Sequence, residues 1–309
     1  MIIIFIAGCS PQVQKSTRFM LGSYCTIQVP GGKGELKKIK AAMDRMQEID
    51  KKMSSQLDSS AVNDFNEKNI PISDSETVAL AQRSLEIAEL TGGAFDITLW
   101  GVSKLWNFSG EGEPRLPSDN EIRQKLKHSS YKKIFIKDGV LYKKDPALQL
   151  DFGGIAQGYA VAEALKVLKA AGVKNALIDV SGDIYALGKL YGKEWRIAIE
   201  RPRGKGMLGV LEMTDMAVVT SGDYERFFEK EGRRYHHILD PKTGYPSQGM
   251  QSITVVSSDP VFCDAMSTAL FVMEAEKALE FCEKTPDLDA IIVDANGAIK
   301  VTSYFKEML

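Results

Sequence analysis

The order in which strand-like and helix-like segments follow one another is the feature of this sequence that most restricts its fold. In the second half of the chain, "NALIDVSGDIYALGK", "WRIAIERP" and "GMLGVLEMTDMAVVTSGDY" are strand-like and are separated by short turns. Strands therefore mostly follow strands, whereas a doubly wound sheet requires strands and helices in alternation. We expect an α+β fold with mostly antiparallel sheets and helices packed on them, formed as a single elaborated domain.

Helical periodicity and turn signals complete this outline. Apolar residues at helical spacing predict helices over Glu35–Met53 and Ser75–Leu90, and a capping box of Ser118 and Glu121 predicts a third over 119–127. The other predicted elements are a strand over 19–29, hairpins that turn at Asp138-Gly139 and Asn296-Gly297, and a helix that starts near Val261.

Composition and charge exclude several classes of protein. The 309 residues are 44% hydrophobic and 26% charged, which is ordinary for a soluble globular protein. A net charge of -2 argues against a nucleic-acid partner, which requires a basic surface. The sequence lacks a run of about 18 apolar residues that could span a membrane. Cys9, Cys25, Cys263 and Cys282 show neither metal-binding spacing nor a C-x-x-C pair.

The first residues, "MIIIFIAGCS", resemble a bacterial lipobox, in which a cysteine is acylated and becomes the mature N-terminus. On this interpretation residues 1–8 are the remnant of a lipoprotein signal, residues 9–17 are the lipidated Cys9 and a polar tether, and residues 18–309 are the folded domain. The alternative is an ordinary first strand. The lipobox predicts a protein of the bacterial cell envelope, lipid-anchored at a membrane and facing the periplasm or the exterior.

A glycine-bearing segment, "DFGGIAQGYAV", lies between a strand-like stretch and an amphipathic helix that ends at Gly172. Free amides and the positive end of the dipole at a helix N-terminus favour a bound phosphate. The spacing of Gly153, Gly154 and Gly158 fits neither G-x-G-x-x-G nor G-x-x-x-x-G-K-[ST], which argues against a nicotinamide-dependent Rossmann oxidoreductase. We interpret the segment as a nucleotide phosphate loop in another fold, with Gly158 letting the helix begin close to the phosphates.

Asp264 and Thr268 lie four residues apart on a predicted helix, so their side chains share one face. A carboxylate and a hydroxyl on one face suit a hard cation, which prefers oxygen ligands and keeps several waters. The alternative is a threonine that bonds its own helix backbone beside a solvated aspartate. Ser267 and Thr268 in an otherwise apolar helix weaken this alternative, because buried hydroxyls need partners.

His236 and His237 are two of only three histidines in the chain. Histidine accepts a proton near neutral pH, as a general base must, whereas a histidine pair in a loop is otherwise often plain surface. Asp240-Pro241 and Thr243-Gly244 predict a tight turn after the pair.

Two further segments carry polar residues beside glycines. In "TSGDY", Ser221 or Asp223 caps a following helix or contacts a phosphate, and the two interpretations are compatible. In "TGGAFD", Asp96 follows a glycine pair, with Trp100 and Trp106 close behind it. Aromatic residues near a loop usually belong to the core, so this segment carries no function alone.

Taken together, these segments resemble the ApbE family of flavin transferases, which attach FMN from FAD to a threonine of a protein. The segments "GAFDITLWGVSKLW", "DFGGIAQGYAV", "VSGDIYALG", "TSGDYERF", "YHHILDPKTGYP" and "CDAMSTALFVM" occur in the order of the family. The resemblance runs from about Phe19 to the C-terminal strand and implies a T-fold-like ApbE architecture. The lipobox agrees with it, since many family members are exported lipoproteins.

The resemblance also implies a set of site residues. A magnesium ion is expected on Asp264, Thr268 and the main-chain carbonyl of Ala156. Asp264 and His237 are the expected catalytic residues, with His237 as the base that activates the acceptor hydroxyl. The residues expected to bind the flavin nucleotide are Met20, Asp96, Asp151, Gly153, Gly154, Gln157, Ser221, Gly222, Asp240 and Thr243.

The implied reaction splits FAD, links FMN through a phosphoester to a Thr or Ser of a partner protein, and releases AMP. FAD is then a substrate and Mg²⁺ the cofactor. The acceptor is expected to be a protein of a membrane redox complex or an FMN-binding domain that carries the flavinylated Thr or Ser. Two other functions remain open: an Mg²⁺-dependent FAD pyrophosphatase at the same site, and a non-catalytic, lipid-anchored flavin-binding protein. The presence of His237, Asp264 and Thr268 disfavours the second.

Four positions depart from the family pattern. They are Gln157 where lysine is usual, Ala162 where an acidic residue is usual, Ser181 in place of glycine, and Leu57 in place of an aromatic. Loss of the lysine leaves more of the charge compensation to the magnesium.

Overall fold

The computed structural model describes residues 12–108 and 112–306. The predicted signal remnant, 1–8, and Cys9 lie outside these residues. Within them, no helix has the length and apolarity needed to cross a lipid bilayer.

The strands are Val13–Met20 (β1), Ser23–Pro30 (β2), Ile134–Lys137 (β3), Val140–Lys143 (β4), Ala176–Val180 (β5), Asp183–Leu187 (β6), Trp195–Glu200 (β7), Met207–Met213 (β8), Met216–Gly222 (β9), Phe227–Lys230 (β10), Arg233–His236 (β11), Met250–Ser257 (β12), Asp289–Asp294 (β13) and Ile299–Val301 (β14). The helices are Glu35–Met53 (α1), Ala61–Lys68 (α2), Ser75–Leu90 (α3), Trp100–Trp106 (α4), Asp119–Leu126 (α5), Ala156–Ala170 (α6), Pro260–Val272 (α7), Ala275–Lys284 (α8) and Ser303–Lys306 (α9).

Eight strands form one sheet in the order β1-β2-β5-β6-β9-β12-β13-β14. Every neighbouring pair of this sheet runs antiparallel. The pairs β3-β4, β7-β8 and β10-β11 are separate antiparallel hairpins. The predicted α+β class with mostly antiparallel sheets is therefore confirmed.

The two faces of the large sheet contact different layers, because successive side chains of a strand point to opposite sides. On one face, Val219 of β9 joins apolar side chains of α1, α6 and α7 in the main hydrophobic core. On the other face, Val218 packs with Trp195 and Ile197 of β7 in a second cluster. Helices thus cover one side of β9, and hairpin β7-β8 covers the other.

Elements with local sequence signals occur where they were expected. The helices predicted over Glu35–Met53 and Ser75–Leu90 are confirmed as α1 and α3 with the same bounds. Ser118 and Glu121 form the predicted capping box at the start of α5, which ends at Leu126. The hairpin predicted at Asp138-Gly139 is β3-β4.

Three local predictions are wrong. The chain does not form one strand over 19–29, because it reverses at Leu21-Gly22 between β1 and β2. Residues 13–17, expected in the polar tether, lie in β1 and pair with β2. No helix follows "TSGDY" either, since this segment contains the end of β9 and the next element is β10.

Candidate active site

A cleft of about 1350 Å³ opens between the glycine loop before α6, the turn from β5 to β6, hairpin β7-β8 and the segment that follows β9. The predicted site residues that line it are Asp96, Asp151, Gly153, Gly154, Ala156, Gln157, Ser221, His237, Asp264 and Thr268. Segments far apart in the sequence therefore meet at one place.

The charged side chains that line the cleft are mostly acidic. Its carboxyl groups belong to Asp50, Asp96, Asp151, Asp179, Asp183, Glu200, Glu225 and Asp264, and its cationic side chains to Lys104 and Arg226. A ligand with phosphate groups would meet an excess of negative charge here, so its binding calls for an added cation.

The side chain of Asp151 stabilises the glycine loop through the hydrogen bonds that it accepts. Its Oδ1 atom accepts hydrogen bonds from the Ser55 hydroxyl at 3.0 Å and from the Gly153 N–H at 3.2 Å, and burial raises its pKa. At Gly154, an added Cβ atom would lie 3.3 Å from the hydroxyl oxygen of Thr268. The glycine loop therefore lies directly against α7.

Gly158 brings α6 and α7 into direct contact. A Cβ atom at Gly158 would lie 2.2 Å from the carbonyl oxygen of Pro260 and 2.7 Å from the Cβ atom of Asp264. The Gly158 N–H donates to Oδ2 of Asp264 at 2.8 Å. Gly158 therefore joins the first turn of α6 to Asp264.

Two buried carboxyl groups, those of Asp264 and Asp183, line the cleft. Asp264 is 5% exposed, and burial raises its pKa to about 7 although the Gly158 N–H favours the charged form. Asp183 is 7% exposed, and its Oδ2 has no hydrogen-bond partner among the described residues. Burial and the neighbouring Asp264 raise the pKa of Asp183 well above its usual value. Sequence reasoning missed Asp183, although it lies in the "VSGDI" segment.

The hydroxyls of Ser267 and Thr268 differ in what they contact. The Ser267 hydroxyl donates to the carbonyl of Asp264 at 2.8 Å and lies 2.8 Å from the hydroxyl of Ser221. The alternative for Thr268 was a hydrogen bond from its hydroxyl to the backbone of its own helix. In the structure, Ser267 makes a bond of this kind. Thr268 lines the cleft one helical turn after Asp264.

Protein side chains alone do not form a complete metal cage here. Across residues 12–108 and 112–306, no three His, Cys, Asp or Glu side chains group as a metal site. An ion held by Asp264 and Thr268 would therefore need further oxygen ligands from the backbone, from water or from a substrate.

His236 and His237 occupy different environments. The buried His236 donates from Nε2 to the carbonyl of Ser247 at 2.8 Å and accepts at Nδ1 from the N–H of Ile238 at 3.3 Å, so it is neutral and structural. His237 lines the cleft, and its backbone N–H donates to the carbonyl of Arg226 at 3.1 Å. Burial, together with the Arg226 charge, lowers the pKa of His237 to about 3. Its imidazole is therefore neutral at neutral pH.

Asp96 and Gln157 line the cleft and also form hydrogen bonds with neighbouring protein segments. Asp96 accepts from the N–H and the hydroxyl of Thr98 and from the N–H of Tyr131. The side-chain amide of Gln157 donates to the carbonyl of Leu21 at 3.1 Å. Both residues hold neighbouring loops in place.

The predicted nucleotide-binding residues that do not line the cleft are Met20, Gly222, Asp240 and Thr243. Met20 is buried in the main core. Asp240 accepts from the Lys242 N–H at 2.9 Å and from the Thr243 hydroxyl at 3.4 Å, which forms the predicted turn. Gly222 leaves room for the ring of Tyr224.

An antiparallel α+β fold that brings buried carboxyl groups and a neutral histidine into one cleft with the start of α6 suits the class of enzyme that binds a phosphate-bearing substrate. The chain belongs to the ApbE family, whose sequence model matches residues 21–292. The predicted resemblance is confirmed.

Relatives with assigned names and known structures agree with this family. The FAD:protein FMN transferase of Treponema pallidum is 31% identical over 92% of this chain and 85% of its own length. The FAD:protein FMN transferase of Vibrio cholerae is 31% identical over 99% of this chain and 96% of its own length. The crystal structure of the ApbE protein from Thermotoga maritima superposes with a TM-score of 0.90 at 35% identity, covering 96% of this chain and 99% of that chain. The structure of the flavin transferase ApbE from Vibrio cholerae superposes with a TM-score of 0.86 at 27% identity, covering 97% of this chain and 100% of that chain.

Proposed function

We propose that this protein is an Mg²⁺-dependent FAD:protein FMN transferase. It splits FAD, attaches FMN through a phosphoester to a Thr or Ser of a partner protein, and releases AMP. The observation that carries the proposal is the meeting, in one cleft, of the start of α6, the Asp264 and Thr268 face of α7, and the neutral His237. The names of the relatives from Treponema pallidum and Vibrio cholerae support the same reaction.

The oxygen donors of the cleft fit magnesium. Asp264, Thr268 and the carbonyl of Ala156 are hard ligands, and their small number suits an ion that keeps waters and binds substrate phosphates. The eight carboxyl groups and two cationic side chains of the lining leave a doubly charged pyrophosphate without sufficient compensation. Bound there, magnesium would neutralise charge on the pyrophosphate oxygens.

The residues of the chain perform the other parts of the reaction. The positive end of the α6 dipole attracts the pyrophosphate at the start of this helix. His237 takes the proton of the acceptor hydroxyl as that oxygen attacks the phosphorus on the flavin side. The bond from this phosphorus to the bridging oxygen breaks, and AMP leaves with that oxygen. Asp96 and Asp151 keep the loops around the nucleotide in place through the hydrogen bonds that they accept.

Incubation of the protein with Mg²⁺, FAD and a partner that carries a D-G-x-[ST]-G-A-[ST] sequence is expected to add one FMN phosphoester to the partner. Mass spectrometry of the partner and chromatography of released AMP would measure this. A partner with alanine at the acceptor position is the matched control. Equally fast conversion of FAD to FMN and AMP without a partner would instead identify a pyrophosphatase. Intact FAD in both mixtures, despite binding, would identify a flavin-binding protein without turnover.

We also propose that the protein is lipid-anchored through Cys9 in the bacterial cell envelope, where its acceptor belongs to a membrane redox complex. The "MIIIFIAGCS" segment supports this, and β1 begins only four residues after Cys9. Cys9→Ala is expected to move the protein from the membrane fraction to the soluble fraction, whereas Ser10→Ala is expected to leave it on the membrane. Equal partitioning of the Cys9 variant and the unchanged protein, measured by fractionation and immunoblot, would contradict the anchor.

A further inference from the structure

The side chain of Gln157 connects two segments that lie far apart in the sequence. Gln157 is the second residue of α6, and its amide Nε2 donates to the carbonyl of Leu21 at 3.1 Å. Leu21 belongs to the two-residue turn of hairpin β1-β2, in which Met20 pairs with Ser23. The first turn of α6 is therefore bonded to the tip of this hairpin.

The hairpin tip has a backbone conformation that needs support from outside. Leu21 and Gly22 have positive φ angles of 55° and 70°. A two-residue hairpin turn with two positive φ values suits Asn-Gly or Gly-Gly, whereas leucine is unfavourable in the left-handed region. The hydrogen bond from Gln157 holds this unfavourable turn in one position.

The same tip is a wall of the cleft. Leu21, Gly22 and Ser23 line it beside Gln157. The Ser23 hydroxyl is buried and has no hydrogen-bond partner among the described residues. A displacement of the tip would therefore move an unpaired polar group and change the width of the cleft next to the glycine loop.

We propose that Gln157 is a positioning residue, which holds the turn Leu21-Gly22 against α6 and so fixes the wall of the cleft that includes Ser23. It acts on the nucleotide through this turn and not by contact with the pyrophosphate. The effect on the nucleotide rests on the proposed function, whereas the immobilisation of the tip does not.

Three variants separate this proposal from a direct contact with phosphate. Gln157→Met keeps a similar length but cannot donate a hydrogen bond, and Gln157→Lys keeps a donor and adds a charge. Gln149→Met is the matched control, because it removes a glutamine hydrogen bond to Glu67 outside the cleft. Hydrogen–deuterium exchange of the ligand-free proteins reports on the tip, and steady-state kinetics with FAD reports on the site.

In Gln157→Met, we expect exchange of the amides of residues 22–24 to rise about fivefold, as for the loss of one hydrogen bond. KM for FAD should rise about as much, with kcat changed less than twofold. Gln157→Lys should return exchange at the tip to that of the unchanged protein, and Gln149→Met should alter neither quantity.

Two results would overturn the proposal. One is unchanged exchange at residues 22–24 in Gln157→Met. The other is a rise in exchange spread over the whole protein, which would indicate general destabilisation. A lower KM in Gln157→Lys than in the unchanged protein, with exchange at the tip equal in all variants, would identify a phosphate contact. If the unchanged protein transfers no FMN, the proposed function fails, but the exchange experiment still decides whether Gln157 holds the tip.

Discussion

Replacement of Asp264 by Asn is expected to abolish most FMN transfer and, at the same time, to stabilise the metal-free protein at pH 8. Asn removes the negative charge that would hold magnesium but keeps an oxygen for the hydrogen bond from Gly158. Loss of one group that stabilises charge in a transition state commonly lowers kcat by about 10²–10³-fold, and we expect a reduction of that size.

The effect of this substitution on stability follows from the pKa of Asp264. Burial raises this pKa from 3.8 to about 7. Between these values the folded state binds more protons than the unfolded state, so the stability of the metal-free protein falls as pH rises from about 4 to about 7. Asn removes this destabilising buried charge, although the variant still buries an amide, so we expect it to be more stable than the unchanged protein at pH 8.

Thermal unfolding with and without a chelator would test both parts of this prediction. At pH 8 without metal, the Asn variant should unfold at a higher temperature than the unchanged protein. At pH 5 the two should differ less, because Asp264 is then largely neutral. Added Mg²⁺ should raise the unfolding temperature of the unchanged protein more than that of the variant. Asp58→Asn, at an exposed position, is the control. Normal transfer by the Asp264 variant would remove this carboxyl group from the mechanism.

The second large effect is expected from His237→Ala, which should slow FMN transfer by about 10³-fold, within the range for loss of a general base. FAD affinity, measured by quenching of flavin fluorescence, should change less than about twofold. His128→Ala is the control, because His128 pairs with Asp145 outside the cleft.

The pH dependence of transfer tests the state of the His237 imidazole. Its pKa is lowered to about 3 by burial, so the neutral form persists as pH falls through the ordinary histidine value near 6.5. At saturating Mg²⁺, acidification from pH 8 to pH 5.5 should not remove the base. A fall in rate centred near pH 6.5 that disappears in His237→Ala would contradict this assignment of a neutral, buried base.

Local signals in the sequence predicted the parts of the fold that local forces determine. The apolar periodicity of α1 and the capping box of α5 involve residues within one or two helical turns of each other, so they can be recognised without knowledge of tertiary contacts. The hairpin β1-β2 was missed because apolar residues continue through its turn. Leu21-Gly22 is not one of the dipeptides that usually mark a two-residue hairpin.

The candidate site was predictable where one motif contains both chemistry and spacing. The i, i+4 relation of Asp264 and Thr268 on α7 needs no other part of the chain. Asp183 was missed because its significance arises from the placement of β6 beside β9, which packs under α7. The different environments of His236 and His237 also depend on neighbours distant in sequence, such as Ser247.

The contact of α6 with α7 at Gly158 has a consequence for ligand affinity. Because Gly158 touches both Pro260 and Asp264, the helix N-terminus proposed to receive phosphate and the carboxyl group proposed to hold a cation belong to one closely packed unit. A ligand that orders either partner of this contact lowers the entropy still to be lost when the other ligand binds. Mg²⁺ and FAD should therefore each tighten the binding of the other by the same factor, as thermodynamic reciprocity requires.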